Sequence, residues 1–137
     1  MIRRTFLLLV GAVVLGACGG SDAPVGPDRQ AIGTYTLRTV NDQPLPAVVF
    51  QDATVKIEVL SDVVTLNENG TWSETASLRA TSAAGAVGTQ PSSDNGTYTL
   101  NGSALVLSSG QSGTTTATLS GSSLTIADAG LVLVYQK

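Results

Sequence analysis

The sequence predicts an all-β fold, a small antiparallel up-and-down β-barrel of about eight strands, and three observations carry that prediction. From Gly33 onward the apolar residues alternate at every second position, the period of a strand with one buried face. No window carries the 3.6-residue period of an amphipathic helix. The runs are short and end in Gly, Asn, Asp or Pro, so successive strands fold back as antiparallel neighbours.

Two segments precede the barrel. Residues 1–17 begin with two positive charges, Arg3 and Arg4, continue through an apolar run from Phe6 to Leu15, and end in the small residues Gly16 and Ala17. This is the order of a secretory signal. The run is also shorter than the roughly 20 residues a membrane-spanning helix needs, which favours cleavage. The stretch "LGAC" at Leu15 to Cys18 resembles a bacterial lipobox. That resemblance implies diacylglycerol transfer to the Cys18 sulfur, cleavage before Cys18, and acylation of the new amino group, palmitate being one such acyl chain. Cys18 is the sole cysteine, so an intramolecular disulfide is unavailable to it, and multiple acyl chains give stable attachment where one is marginal. Gly19 stands where the family rule reserves Asp for inner-membrane retention, so the expected location is the cell envelope, at the outer membrane rather than the inner. "RRTFL" also looks like the twin-arginine export pattern, with Ile2 where Ser or Thr is usual; the general secretory route and the twin-arginine route both fit. Residues 18–31, rich in Gly, Pro and small polar residues, read as a flexible tether.

The third segment, residues 32–137, is the barrel domain. Strands are predicted near 33–40, 54–60, 62–67, 71–80, 96–100, 103–108, 114–120, 123–127 and 131–136. If 54–67 is one bent strand, the barrel has eight strands; otherwise it has nine. Asn69-Gly70 and Asn101-Gly102 read as type I′ hairpin turns. The pentapeptide GTYTL occurs twice, at 33–37 and 96–100, with Tyr and Leu on one face and Thr on the other, and marks two equivalent strand starts. The inward set continues as Val55, Ile57 and Val59, then Val64 and Leu66, Trp72, Ala76 and Leu78, Leu105 and Leu107, Ala117 and Leu119, Leu124 and Ile126, and finally Leu131, Leu133 and Tyr135. One apolar face and one Thr/Ser face suit a sheet curled around its own core, and closing it removes exposed edges.

The stretches "GTYTLRTVNDQPLP" at 33–46, "NENGTW" at 67–72, "DNGTYTLNGSALVL" at 94–107 and the closing "LVLVYQK" are similar to the lipocalin-like barrels of small bacterial lipoproteins. Gly-x-Tyr here takes the place of the lipocalin Gly-x-Trp opening, and the single Trp72 comes later. The resemblance implies a ligand-binding barrel. An eight-stranded barrel has room either for its own side chains or for one small ligand.

Candidate ligand contacts follow from the pattern. Glu74 shares its alternation face with Trp72, Ala76 and Leu78. An inward carboxylate needs a partner or a raised pKa, and Tyr35, Tyr98 or Tyr135 could offer a hydroxyl. A bulge near Ser73, or a place at the rim, would instead return Glu74 to water. Trp72 reads either as packing at the barrel end or as a ligand platform. Leu45, Val48, Val49 and Phe50 lie in a loop at 41–53 and form either a lid over one mouth or a plug within it. The loop at 82–93, small and uncharged, reads as an entrance or as a disordered hairpin tip.

Other chemistry finds little support. There is no His, so His triads and His metal sites are excluded. Cys18 is assigned to lipid, the acidic residues are spaced unlike a calcium loop, and Gly-rich "SSGQSG" lacks the Lys and helix of a phosphate loop. No cofactor, no metal and no enzymatic activity are expected. With Arg3 and Arg4 removed, five basic residues face ten acidic ones, a balance that disfavours nucleic acid. The expected protein is thus a monomer held to the membrane through Cys18. It either binds a small, hydrophobic molecule or serves as an envelope structural or interaction module with a filled barrel.

Overall fold

The computed structural model describes residues 29–137; the leader, Cys18 and most of the tether lie outside them. Ten strands follow in chain order: β1 (Gly33–Val40), β2 (Gln43–Pro44), β3 (Ala47–Gln51), β4 (Val55–Leu66), β5 (Thr71–Ser82), β6 (Val87–Asn101), β7 (Ala104–Ser109), β8 (Gly113–Ser120), β9 (Ser123–Asp128) and β10 (Leu131–Gln136). The sheet order is β2-β1-β10-β9-β8-β7-β6-β5-β4-β3, with β1 also pairing β4. That last pairing sets Gly33 to Thr36 against Leu66 to Val63. It closes β1 and β4 to β10 into an eight-stranded antiparallel barrel, with β2 and β3 as additional strands.

The strand at 54–67 is single, so eight is the barrel count. Its change of phase has a physical cause: pairing with β5 slips between Val59 and Ser61, leaving Leu60 as the extra residue of a bulge. Val59 before the bulge and Asp62, Val64 and Leu66 after it are all buried.

Two expected loops are strands instead. The segment 41–53 is not a loop but carries β2 and β3, and β3 pairs with the first half of β4 (Ala47↔Val59, Gln51↔Lys56) where β1 has turned away to β10. Leu45 and Val49 pack against the core as a plug, whereas Val48 and Phe50 are 45% and 49% exposed. The segment 82–93 is a β-ribbon rather than a loop: β5 and β6 stay paired from Thr71↔Thr97 to Thr81↔Val87. Backbone hydrogen bonds extend the ribbon although its side chains bury little surface. Residues 87–95 of β6 have no β7 partner, and Pro91, which has no N–H to offer, stands in this open edge.

The turns also differ. Asn69 and Asn101 keep negative φ; only Gly70 and Gly102 are positive, at +80° and +63°. The turns with both central residues positive, as type I′ requires, are Asn41-Asp42 between β1 and β2 and Ala129-Gly130 between β9 and β10. Asn41 stays there because its Oδ1 accepts from the Val132 N–H at 2.8 Å.

Of the two GTYTL copies, only Gly33 opens a strand. Gly96 sits within β6, where the β7 backbone leaves no room: a Cβ there would lie 1.7 Å from the Ser108 carbonyl oxygen and 3.0 Å from Trp72 Nε1. The two tyrosines do play parallel parts at one end of the barrel. Tyr35 Oη donates to the Ala31 carbonyl at 2.7 Å and Tyr98 Oη to the Asn67 carbonyl at 2.7 Å. Ala31 is fully buried. Lys137 Nζ donates to the carbonyls of Gln30 and Ile32 and lies 5.2 Å from the Tyr35 ring centre. Tyr35, Leu66, Trp72, Tyr98, Leu105, Ala117 and Leu124, all buried, fill this end, which also carries the β4–β5, β6–β7 and β8–β9 turns. Tyr35→Phe removes one buried hydrogen bond and should lower stability by about 1 kcal/mol. Urea unfolding checks this, and an unchanged midpoint would show that the hydroxyl contributes nothing net.

Candidate functional site

Toward the opposite end the barrel is hollow. A cavity of about 480 Å³ is walled by Val64, Trp72, Glu74, Leu107, Ile126, Leu133 and Tyr135 and rimmed by Ser92 to Asp94, Gln111, Ser112 and Asp128 to Leu131. The walls come from β4, β5, β7, β9 and β10. The rim comes from the unpaired stretch of β6 and the β7–β8 and β9–β10 turns. The apolar members are the inward alternation set, so the strand period that builds the core also lines the cavity.

Glu74 points inward because β5 is regular around it. Registers Asp62↔Ala76 through Leu66↔Trp72 run without a slip, and the bulge that would have turned Glu74 outward is instead on β4. Its diagonal neighbour across the two strands is Asp62, only 4% exposed. Tyr135 Oη donates to Asp62 Oδ2 at 2.8 Å. Asp62 Oδ1 is buried without a hydrogen-bond partner, and a protonated Glu74 can donate to the Asp62 carboxyl. Burial, and then the Asp62 charge beside it, push the Glu74 pKa up to about 8. Burial also raises Asp62, against the hydrogen bonds from Tyr135 and Glu74 that favour its ionised form. At neutral pH Glu74 therefore keeps its proton beside the Asp62 carboxyl. Burial and the Asp62 charge likewise raise Tyr135, which stays a neutral donor.

At the rim Asp94 behaves oppositely. Hydroxyls of Ser109 (Oγ to Oδ1, 2.6 Å) and Ser112 hold its carboxyl below the usual range, so it is charged at neutral pH. Trp72 bridges the filled and hollow halves: it is 5% exposed, its ring borders the cavity, and Nε1 donates to the Ser108 carbonyl at 3.3 Å.

Of the residues singled out from the sequence, Trp72, Glu74 and Tyr135 meet in this cavity. Tyr35 and Tyr98 serve the filled end, and Phe50 lies on the outside of β3; none of these three borders the cavity. Cys18 is outside the described residues. Asp62 and Asp94 were missed. The signal for Asp62 was its spacing of two from Val64, on the face already assigned inward. For Asp94 it was the hairpin register that sets it opposite Glu74.

Among the described residues no three acidic, His or Cys side chains converge to hold a metal ion, and no helix is long and apolar enough to cross a membrane. Comparisons with protein-family models, with curated proteins and with solved structures find no match to this chain.

Proposed function

We propose that this chain is a lipid-anchored envelope protein, attached through Cys18 and more at home on the outer than the inner membrane, whose barrel binds a small, largely hydrophobic molecule without chemical turnover. The hollow half of the barrel carries the binding reading. About 480 Å³ lies within the roughly 300–1,000 Å³ of small-molecule sites, and its walls are apolar with a few convergent polar groups. A barrel made only as an interaction module would have no cause to leave this space, since a packed core is the more stable arrangement. Of the buried carboxyl pair only Glu74 borders the cavity, so the pair does not present both its acids to a bound molecule, which supports a non-catalytic role. The anchor rests on the lipobox-like LGAC and the single cysteine.

Native mass spectrometry of protein taken from its own host's envelope tests the binding reading. An added mass lost on denaturation is expected; a bare mass that persists after exposure to host lipid extract would point to the interaction module instead. Labelling with a fatty-acid analogue tests the anchor: the label should be lost in Cys18→Ala, and persistence would refute acylation at that residue.

A further inference from the structure

Resting on the binding reading above, we propose that the ligand is an organic cation, with an apolar body against Trp72, Leu107, Ile126 and Leu133 and a protonated amine at Glu74. The charged groups bordering the cavity are all acidic: Glu74 on its wall, and Asp94 and Asp128 on its rim. The basic side chains Arg29, Arg38, Lys56, Arg79 and Lys137 are absent from its lining. Glu58, on β4, takes Arg79 at 3.0 Å and Lys56 at 3.5 Å, and Lys137 is held at the filled end. A fatty acid or other anionic amphiphile would bring its charge into this field with no counter-ion, and a buried unpaired charge is strongly disfavoured.

Two observations point beyond a mere acidic cluster. The first is the lining: apolar Leu107, Ile126 and Leu133 together with acidic groups and no basic one fit an amphiphile whose head is positive. The second is Asp62, almost wholly buried beside Glu74, with Oδ1 unpartnered. An ammonium at Glu74 would replace the proton that now reconciles the two carboxyls, so the empty site is neutralised by a proton and the filled site by the ligand. An inorganic cation is disfavoured by the lack of a third ligand, and the apolar wall would give it nothing. The groups facing Glu74 are Asp62 from β4, Asp94 from β6, and Tyr135 from β10, a neutral donor already committed to Asp62. Asp128 stands farther round the rim.

Exchange of a proton for an ammonium makes binding pH-dependent in a fixed direction. The free site must lose a proton to take the cation, so affinity should rise toward about pH 8, where Glu74 ionises unaided, and then level off.

Matched probes separate the head group from the cavity. Residues 29–137 close their own sheet and bury their own core, so the soluble chain from residue 22 onward serves. Octylammonium, octanol and octanoate share one tail, and Trp72, the sole tryptophan, reports on all three by fluorescence, with calorimetry alongside. Octylammonium should bind at least about tenfold tighter than octanol, octanoate should be weakest, and only the amine should gain affinity between pH 6 and 8. Glu74→Gln should bring the amine down to the affinity of the alcohol. Octanol or octanoate binding as tightly as the amine would overturn the cation assignment while leaving a hydrophobic cavity intact. A flat pH profile for the wild-type amine complex would overturn Glu74 as counter-ion without recourse to any variant. Absence of binding by all three would overturn both the cation and the carrier readings.

Discussion

Gly96→Ala should lower the thermal unfolding midpoint on the order of 15 °C. The added methyl group would lie 1.7 Å from the Ser108 carbonyl oxygen, a backbone atom in the adjoining strand that cannot rotate away. Either β6 and β7 part, with loss of strand pairing around Gly96↔Ser109, or both strands bend and Trp72 loses its bond to Ser108. Overpacking of this kind costs about 3 kcal/mol, and for a domain near 100 residues each kcal/mol moves the midpoint by about 4–8 °C. Gly88→Ala in the same strand is the matched control. Nothing lies within 4 Å of its Cβ position, so it should leave the midpoint unchanged or raise it slightly. Equal effects of the two substitutions, read by calorimetry, would show that β-propensity and not the close approach governs Gly96.

The second large effect concerns acidity. Between pH 5 and 8 the native protein should lose stability, and Glu74→Gln should remove most of that loss. In the unfolded chain Glu74 ionises near the ordinary value of about 4.3; in the barrel, burial and the Asp62 charge hold its proton up to about pH 8. Across that interval the native state binds more protons than the unfolded one. Its stability is therefore fully present at low pH and declines as pH rises. Because Glu74 is partly open to the cavity, the screened magnitude is on the order of 2 kcal/mol. Gln is neutral throughout and can donate an N–H toward Asp62, so the variant should match wild type near pH 5 and exceed it at pH 8. Asp52, Glu58 and Asp94 do not blur the window. Their hydrogen bonds to Thr54, Arg79 and Ser109 respectively hold their carboxyls low, so they titrate below it. Asp62, also raised, accounts for any slope that remains. Chemical denaturation at the two pH values decides the matter; parallel profiles for wild type and variant would mean that Glu74 is ionised in the native barrel.

Where alternation was strong, the sequence was a good guide. Strands β1, β7, β8, β9 and β10 fall within a residue of their expected bounds, since each carries an alternating run of apolar residues and ends at a turn or at the chain's end. Trp72 and Glu74 were correctly assigned to one face because β5 runs without a bulge there. The failures share a cause, which is structure held by backbone pairing and not by side-chain burial. The first half of β6 reads VGTQPSSD and carries no apolar period, yet β5 pairs with it throughout. β2 and β3 are punctuated by Pro44 and Pro46, which argue against strands; β2 forms by folding back on the end of β1, and β3 fills the first half of β4 that β1 leaves unpaired. Asp62 escaped notice for a different reason. The bulge at Leu60 reverses the phase of β4, and a carboxylate just after the reversal looks like a solvent residue until the phase is fixed from Val64 and Leu66. The repeated GTYTL misled in a smaller way: identical letters meet two constraints, a strand opening at Gly33 and a steric contact at Gly96.

The chain enters the barrel at the end opposite its mouth. Residues 30–32 arrive beneath the filled end, tied there by Tyr35 and Lys137, whereas the mouth lies at the far end among the β7–β8 and β9–β10 turns. From Cys18 to Arg29 is eleven residues, a reach of at most about 40 Å when fully extended. A bilayer holding acyl chains at Cys18, as proposed, would be tethered to the floor of the barrel, the end opposite the mouth. On the proposed anchoring, a ligand would therefore enter and leave at the end of the barrel opposite the tether.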